Sequence, residues 1–172
     1  IALEEQRADQ YAKYKKEIRL LEAMDWFKEA LKLSINDKYA LAVPFYQKAI
    51  ELNPEFTSAY NNLGLAYKVL DQYDYAITNY QQAINLNPYY ANAYNNLGNA
   101  YIEKEQYDDA IININKAIEI NPVLAIAYYN LGVLYGLLEQ NDLAIKYYME
   151  SIEIDPDFPP SYSNTLTISI ET

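Results

Sequence analysis

Asparagine recurs at one position of a repeating pattern, as Asn62, Asn96, Asn130 and Asn164, at a spacing of 34 positions. A carboxamide offers two hydrogen-bond donors and an acceptor without carrying a charge. A column of such groups can therefore hydrogen-bond the backbone of an extended peptide without selecting its side chains. Asparagine also disfavours a helix interior by roughly 0.5 kcal/mol relative to alanine, so its recurrence in helical segments indicates a purpose other than helix formation.

Few other side chains of this sequence could do chemistry. The chain contains no Cys and no His, which excludes Cys/His zinc sites, cysteine nucleophiles and serine–histidine relays. Glu103 is an isolated carboxylate that lacks the second group of a proton-transfer pair, and Asp155 with Asp157 is more typical of a turn than of a metal site. The sequence therefore predicts a protein that is not an enzyme and that has no catalytic residues, no metal and no cofactor.

The asparagines belong to an internal repeat. The stretch AYNNLG at 59–64 recurs at 93–98 and, as AYYNLG, at 127–132, and the segments that follow each copy also align. Every copy predicts two helices with a turn between them, and an Asn-Pro or Asp-Pro pair ends the second helix because the residue before proline avoids the helical region. The predicted organisation is a flanking helix at 1–22, a diverged repeat at 23–56, full repeats at 57–90, 91–124 and 125–158, and a partial fifth repeat or capping helix at 159–172.

The repeated residues resemble the tetratricopeptide repeat, whose pattern is Trp-x2-Leu-Gly-x2-Tyr, then Ala-x3-Phe, then Pro. The third copy matches it with Tyr94, Leu97, Gly98, Tyr101, Ala110, Ile114, Ala117 and Pro122. This resemblance implies an all-α fold, an α-solenoid in which helix-turn-helix repeats stack into a right-handed superhelix, with the first helix of each repeat lining a concave groove. Residues 1–22 then either cap the array or represent the second helix of an earlier repeat.

Helical geometry selects the side chains that face this groove. At 100° per residue, the positions opposite the core stripe of each first helix are 2, 6, 9 and 13, counted so that the Trp or Tyr of the pattern is position 4. We attribute Asn61 and Asn95, which lie beside these positions, to the general richness of the chain in asparagine. The predicted peptide-binding residues are Asn62, Asn96, Asn130, Asn92, Asn99, Leu65, Val69, Ile126, Val133, Leu137 and Lys28.

Two further features concern the packing of each helix pair. Gly98 and Ala110 are small where the two helices of a repeat must approach closely. Asp74, Asp108 and Asp142 stand where the second helices begin, and an aspartate at that position can accept hydrogen bonds from the free amides of a helix N-terminus. We therefore expect these three residues to be N-caps.

The charge distribution constrains the partner. The net charge is −11, and residues 57–172 carry four basic and fourteen acidic side chains, whereas residues 1–56 carry nine and ten. A polyanionic surface repels phosphate backbones, so we expect no nucleic acid and instead a protein or peptide partner, extended and neutral to basic. No apolar run is long enough to span a bilayer, and we expect no signal peptide, so we predict a soluble cytoplasmic protein. Because the chain begins with Ile1, we expect it to be a fragment of a longer one.

These features favour a noncatalytic protein-interaction scaffold whose concave groove holds an extended segment of a partner. One alternative is the substrate-recruiting arm of a larger enzyme, because the asparagine column is similar to that of the repeat arm of O-linked N-acetylglucosamine transferases. A second is a self-associating adaptor, in which the uncapped C-terminal end receives residues 159–172 of another copy. Binding of chaperone C-terminal tails is not expected, since the basic clamp of that subset is absent.

Overall fold

The computed structural model describes residues 2–157, and this range contains eight α-helices and no strand. They pack in consecutive pairs, which confirms the all-α fold of helix-turn-helix repeats. Of the described residues, 2–86 form one compact unit and 87–157 a second. The prediction for residues 159–172 lies outside the described range. The helices are α1 (Ala2–Ile35), α2 (Tyr39–Leu52), α3 (Thr57–Val69), α4 (Tyr73–Leu86), α5 (Ala91–Glu103), α6 (Tyr107–Ile120), α7 (Ala125–Leu137) and α8 (Asn141–Ile154).

Small residues allow the two helices of each pair to approach closely. A Cβ added at Gly98 would lie 2.5 Å from Ile114 Cγ1 and 3.1 Å from the carbonyl oxygen of Ala110. Both distances are shorter than ordinary van der Waals contact, so only glycine fits at this crossing of α5 and α6. This confirms the close approach that the sequence predicts for Gly98 and Ala110.

Each unit has its own apolar core beneath the helix pairs. In the first unit, Ala30, Ala42, Tyr46, Leu63 and Ala66 form one buried cluster, with Phe27 and Leu31 packed against it. In the second unit the corresponding cluster joins three helices, and burial of its apolar side chains stabilises their packing. That cluster consists of Ile102, Ala110, Ile114, Ala117, Ala127, Leu131 and Leu134.

The Asn-Pro and Asp-Pro junctions do more than interrupt a helix. In each of them the side-chain oxygen before proline accepts a hydrogen bond from the backbone amide two residues further on. This local turn offers the chain an alternative to continuing the helix, which fixes where one repeat ends. The four bonds measure 3.1 to 3.3 Å and join Asn53 to Glu55, Asn87 to Tyr89, Asn121 to Val123, and Asp155 to Asp157.

The prediction that aspartates cap the second helices is wrong. Asp74, Asp108 and Asp142 lie inside the first turn of α4, α6 and α8, respectively. The N-cap residues of α6 and α8 are Gln106 and Gln140, and neither makes a capping hydrogen bond with its side chain. A carboxylate in the first turn still interacts favourably with the positive end of the helix dipole, and this accounts for the acidic residue at these positions.

The turn inside each helix pair contains a residue in the left-handed region, although none of these residues is glycine. The φ values are 56° to 58° at Asp37, Asp71, Glu105 and Glu139. This conformation lets the next amide donate back to a carbonyl in the last turn of the preceding helix, as Gln140 does to Tyr135 at 2.9 Å. The turn is therefore defined by helix-end hydrogen bonds rather than by a glycine.

Helix α1 is much longer than the other helices. It runs without interruption from the flanking segment through Trp26 and ends at Ile35. Every residue from 3 to 22 is exposed, and the first buried residue of the helix is Ala23. The N-terminal part of α1, residues 3–22, is therefore a projecting helix that contributes no side chain to the buried core of the first unit.

Two buried tyrosines of the first unit give a matched test of this packing. The Tyr80 hydroxyl is buried without a hydrogen-bond partner, whereas the Tyr46 hydroxyl lies 3.0 Å from Ser34 Oγ. We expect Tyr80→Phe to raise the free energy of unfolding by about 1 kcal/mol, because it removes an unsatisfied polar group. Tyr46→Phe should lower it by about 1 kcal/mol, because Ser34 loses a partner. Urea unfolding of both variants measures the two changes, and shifts of the same sign would contradict this assignment.

Candidate peptide-binding face

In the second unit, helices α5 and α7 carry the side chains that the sequence predicts for peptide binding. Each helix buries a stripe against its partner in the pair, through residues such as Leu97 on α5 and Leu131 on α7, and the two helices also contact each other. The opposite side of both helices carries the residues that the sequence predicts to bind peptide. We call this surface the α5–α7 face, and its residues are Asn92, Asn96, Asn99 and Glu103 on α5 with Ile126, Val133 and Leu137 on α7.

The α5 side of this face is polar and partly accessible. Asn92 and Glu103 are exposed, and Asn96 and Asn99 are half-buried between them. The carboxamides follow one another at intervals of four and three residues, so they form a row along one side of the helix. Such a row consists of uncharged polar side chains, with a single carboxylate at its C-terminal end.

The α7 side of the face is apolar. Ile126 and Val133 are half-buried, and the Leu137 side chain is 54% exposed. None of these three belongs to the buried core cluster of the second unit. The face therefore places apolar area beside the row of amides, which is the combination that ligand sites use to gain both affinity and orientation.

Asn130 is the main departure from the predicted face. Its side chain is only 5% exposed, and its Nδ2 donates a 2.9 Å hydrogen bond to Oδ1 of Asn95. The expectation that this carboxamide stands ready for a ligand is therefore wrong. The helical wheel considers only the packing of α7 against α8, whereas α5 covers the flank of α7 on which Asn130 lies.

The interpretation of Asn61 and Asn95 as compositional noise is also corrected. Asn95 is 4% exposed and Asn61 is 7% exposed, so both are buried polar residues. A buried carboxamide is stable only if it is hydrogen-bonded, and Asn95 meets this condition by accepting from Asn130 of the next repeat. The sequence does contain a signal for this hydrogen bond, because Asn95 and Asn130 lie 35 positions apart, one more than the repeat length of 34. This spacing can be interpreted only when α5 and α7 are known to be in contact.

The predicted residues of the first unit have a different environment. Asn62 is half-buried, and its Nδ2 donates to the carbonyl oxygen of Ser58 within the same helix at 2.8 Å. Leu65 is half-buried and Val69 is 45% exposed on the same helix. Lys28 is exposed on α1 and forms an ion pair with Asp25 at 3.4 Å. This surface thus combines apolar side chains with an asparagine that already has a backbone partner.

The hydrogen bonds of Asn62 and Asn130 differ because the first repeat has no asparagine at the position that could accept a hydrogen bond from Asn62. The position that corresponds to Asn95 is Phe27 in the first repeat, and an aromatic ring offers no acceptor for a carboxamide. Phe27 instead packs against Phe56, with ring centroids 4.7 Å apart. Asn62 consequently bonds to its own helix, whereas Asn130 bonds to a neighbouring one.

A buried serine makes a second polar link in the second unit. Ser151 occupies a position where other repeats have alanine, and it is fully buried. Its Oγ donates a 2.9 Å hydrogen bond to the carbonyl oxygen of Ala125, the first residue of α7. This bond fixes the start of α7 on α8 and thereby helps to position Ile126 at the edge of the α5–α7 face.

Burial raises the pKa of the Tyr46, Tyr80, Tyr128 and Tyr147 hydroxyls, which keeps these phenols protonated. Residues 2–157 contain no group of three or more acidic side chains arranged to hold a metal ion. In the same range, no helix is both long and apolar enough to cross a membrane.

Comparison with known families identifies the repeat. A family model described as "Tetratricopeptide repeat" matches residues 55–122 and 90–157, and one described as "TPR repeat" matches residues 36–71. The matches together cover most of the part of the chain that contains full repeats. No curated protein matches the chain by sequence.

Solved structures of similar architecture cover most of the chain. The crystal structure of MamA is 27% identical over 83% of this chain and 83% of its own, with a TM-score of 0.69. PilF from Pseudomonas aeruginosa is 18% identical over 89% of this chain and 70% of its own, with a TM-score of 0.80. A thermophilic TPR protein from Thermus thermophilus is 20% identical over 87% of this chain and 82% of its own, with a TM-score of 0.78.

Proposed function

Because this chain belongs to the tetratricopeptide repeat family, whose repeats act in protein–protein interaction, we propose that its α5–α7 face binds an extended segment of a partner protein. The observation that carries the proposal is the row of amides on α5 beside half-exposed apolar residues on α7. The amides would hydrogen-bond the peptide backbone, and the apolar residues would receive alternate side chains. We expect affinities in the micromolar range, because the peptide must be ordered on binding.

The proposed ligand is neutral to basic. Residues 57–172 carry fourteen acidic and four basic side chains, so their summed field attracts cations and repels polyanions. Glu103 adds an exposed carboxylate at one end of the face. A lysine or arginine of the peptide placed near Glu103 would gain from both the local and the long-range charge.

Asn130 takes a supporting role in this proposal. Its hydrogen bond to Asn95 holds α7 against α5, and this fixes the spacing between the amide row and the apolar residues. In the first unit, Asn62, Leu65, Val69 and Lys28 would form a separate contact surface of the same kind. We propose a docking role for the chain and no catalytic step, in keeping with the interaction role of this family's repeats.

A peptide array tests the proposed function. The face variant Asn92→Ala/Leu137→Ser removes one amide and one apolar group that are both exposed. Its matched control is Asn115→Ala/Ile112→Ser on α6, where Asn115 is exposed and Ile112 is 65% exposed. We expect peptides that bind the unaltered protein to lose about tenfold in affinity with the face variant and to bind the control within about twofold. Equal losses with the two variants would contradict the proposal.

A further inference from the structure

A cavity of about 860 Å³ opens between the projecting part of α1 and the corner that joins α2 to α3. We call it the basic notch. It lies entirely within the first unit and includes none of the residues predicted to bind peptide. Its lining consists of Lys15, Lys16, Arg19 and Leu20 from α1 with Leu52, Asn53, Pro54 and Glu55 from the corner.

The lysines of the basic notch form no ion pair with another of the described residues. Within residues 2–157, other lysines form ion pairs on their own helices, as Lys28 does with Asp25 and Lys48 with Glu51. Neither Lys15 nor Lys16 takes part in such an ion pair, although Glu55 also lines the notch. Adjacent like charges that are not engaged in ion pairs repel each other, and a bound carboxylate would relieve this repulsion.

Arg19 is held at the wall of the notch. One of its guanidinium nitrogens lies 3.4 Å from the carbonyl oxygen of Glu51, in the last turn of α2. A cation at this place interacts favourably with the negative end of the helix dipole. The remaining guanidinium donors stay available, because a guanidinium has five N–H groups and this contact uses one.

The rest of the lining is largely apolar. Leu20 is 39% exposed on α1, and Leu52 and Pro54 border the opposite wall. Apolar side chains between cations match a ligand that has both carboxylates and hydrocarbon groups. A nucleic acid fits less well, since the notch has no aromatic residue on which a base could stack.

We propose that the basic notch is a second docking site, specific for an acidic segment of a partner protein that also carries apolar side chains. Carboxylates of the segment would pair with Lys15, Lys16 and Arg19, and a leucine-like side chain would cover Leu20 and Pro54. The notch thus has the opposite charge preference to the α5–α7 face. A chain with both sites would bring together a neutral or basic segment and an acidic one.

Fluorescence anisotropy with a short labelled peptide of Glu, Asp and Leu tests this site on the full chain. We expect Lys15→Glu/Lys16→Glu to weaken binding by at least about tenfold, and Leu20→Ser to weaken it by a few-fold. The matched control is Lys13→Glu/Lys38→Glu, which changes the net charge equally at exposed lysines outside the notch. It should leave the affinity within about twofold, and circular dichroism should show equal helicity for all variants.

Three results would overturn the proposal. Equal weakening by the control pair would mean that only the general field of the protein attracts the peptide. Equal binding of a peptide with Gln and Asn in place of Glu and Asp would remove the role of charge, and tighter binding of a single-stranded oligonucleotide would assign the notch to nucleic acid. The Asn92→Ala/Leu137→Ser variant should bind the acidic peptide normally, so failure of the α5–α7 face and failure of the notch are distinguishable.

Discussion

Gly132→Ala is expected to lower the free energy of unfolding by about 1–3 kcal/mol, the usual cost of overpacking a core. A Cβ at this position would lie 2.5 Å from both Cδ1 and Cε1 of Tyr148, and 3.0 Å from its Cγ. The clash involves the base of a buried ring rather than the end of a flexible chain, so α7 and α8 would have to move apart. Urea unfolding of the full chain measures the change.

Gly136→Ala provides the control in the same helix. A Cβ there meets only the Tyr148 hydroxyl, at 4.0 Å. Because alanine favours a helix over glycine by about 1 kcal/mol, this variant should be neutral or more stable than the unaltered protein. The pair separates steric overlap from helix propensity. A loss of stability in Gly136→Ala similar to that in Gly132→Ala would show that close helix packing is not what requires glycine.

Asn130→Ala should cost about 1–3 kcal/mol of unfolding free energy, because it leaves the buried Asn95 carbonyl without its donor. The interaction between Asn95 and Asn130 is isolated by a double-mutant cycle, in which the double alanine variant should lose less than the sum of the single variants. Asn113→Ala is a matched control, since the Asn113 amide only donates to the carbonyl of Asp109 within the same helix. A change in Asn130→Ala within about 0.5 kcal/mol of this control would contradict a structural role for the pair.

The fold is accessible from the sequence because its determinants are local and repeated. Three of these determinants act within a single repeat. They are the apolar stripe that includes Leu97, the glycine at 98 and the Asn-Pro junction at 121. Because they recur at a constant interval, a secondary-structure prediction that is ambiguous in one repeat is resolved by the other repeats. The left-handed conformation of Glu139 cannot be predicted in this way. The helix-end hydrogen bonds require this conformation, and the residue type does not indicate it, because glutamate rarely adopts it.

The candidate site is only partly accessible from the sequence, because it depends on contacts between repeats. Asn92 and Leu137 are exposed as the wheel predicts, since nothing in the second unit covers them. Asn130 occupies the same wheel sector as Asn96, but the structure buries it against Asn95. A wheel drawn for one helix cannot distinguish a side chain that faces a ligand from one that faces the next repeat.

The projecting helix is predicted from sequence only as a cap or as part of an earlier repeat, without a binding site of its own. Lys15, Lys16 and Arg19 look like an ordinary solvated run in the sequence. They form one wall of a cavity only because the corner at Pro54 lies opposite them. The difference in charge between this basic notch and the acidic remainder of the chain therefore becomes a feature of one site only in the folded protein.

The most direct test of the α5–α7 face is nuclear magnetic resonance of the asparagine side-chain amides during titration with a peptide selected on the array. The account predicts that the NH2 signals of Asn92, Asn96 and Asn99 shift as the peptide saturates the protein, while those of Asn113 and Asn115 on α6 stay in place. Shifts confined to α6, or no shift in the α5 amides at saturation, would contradict it.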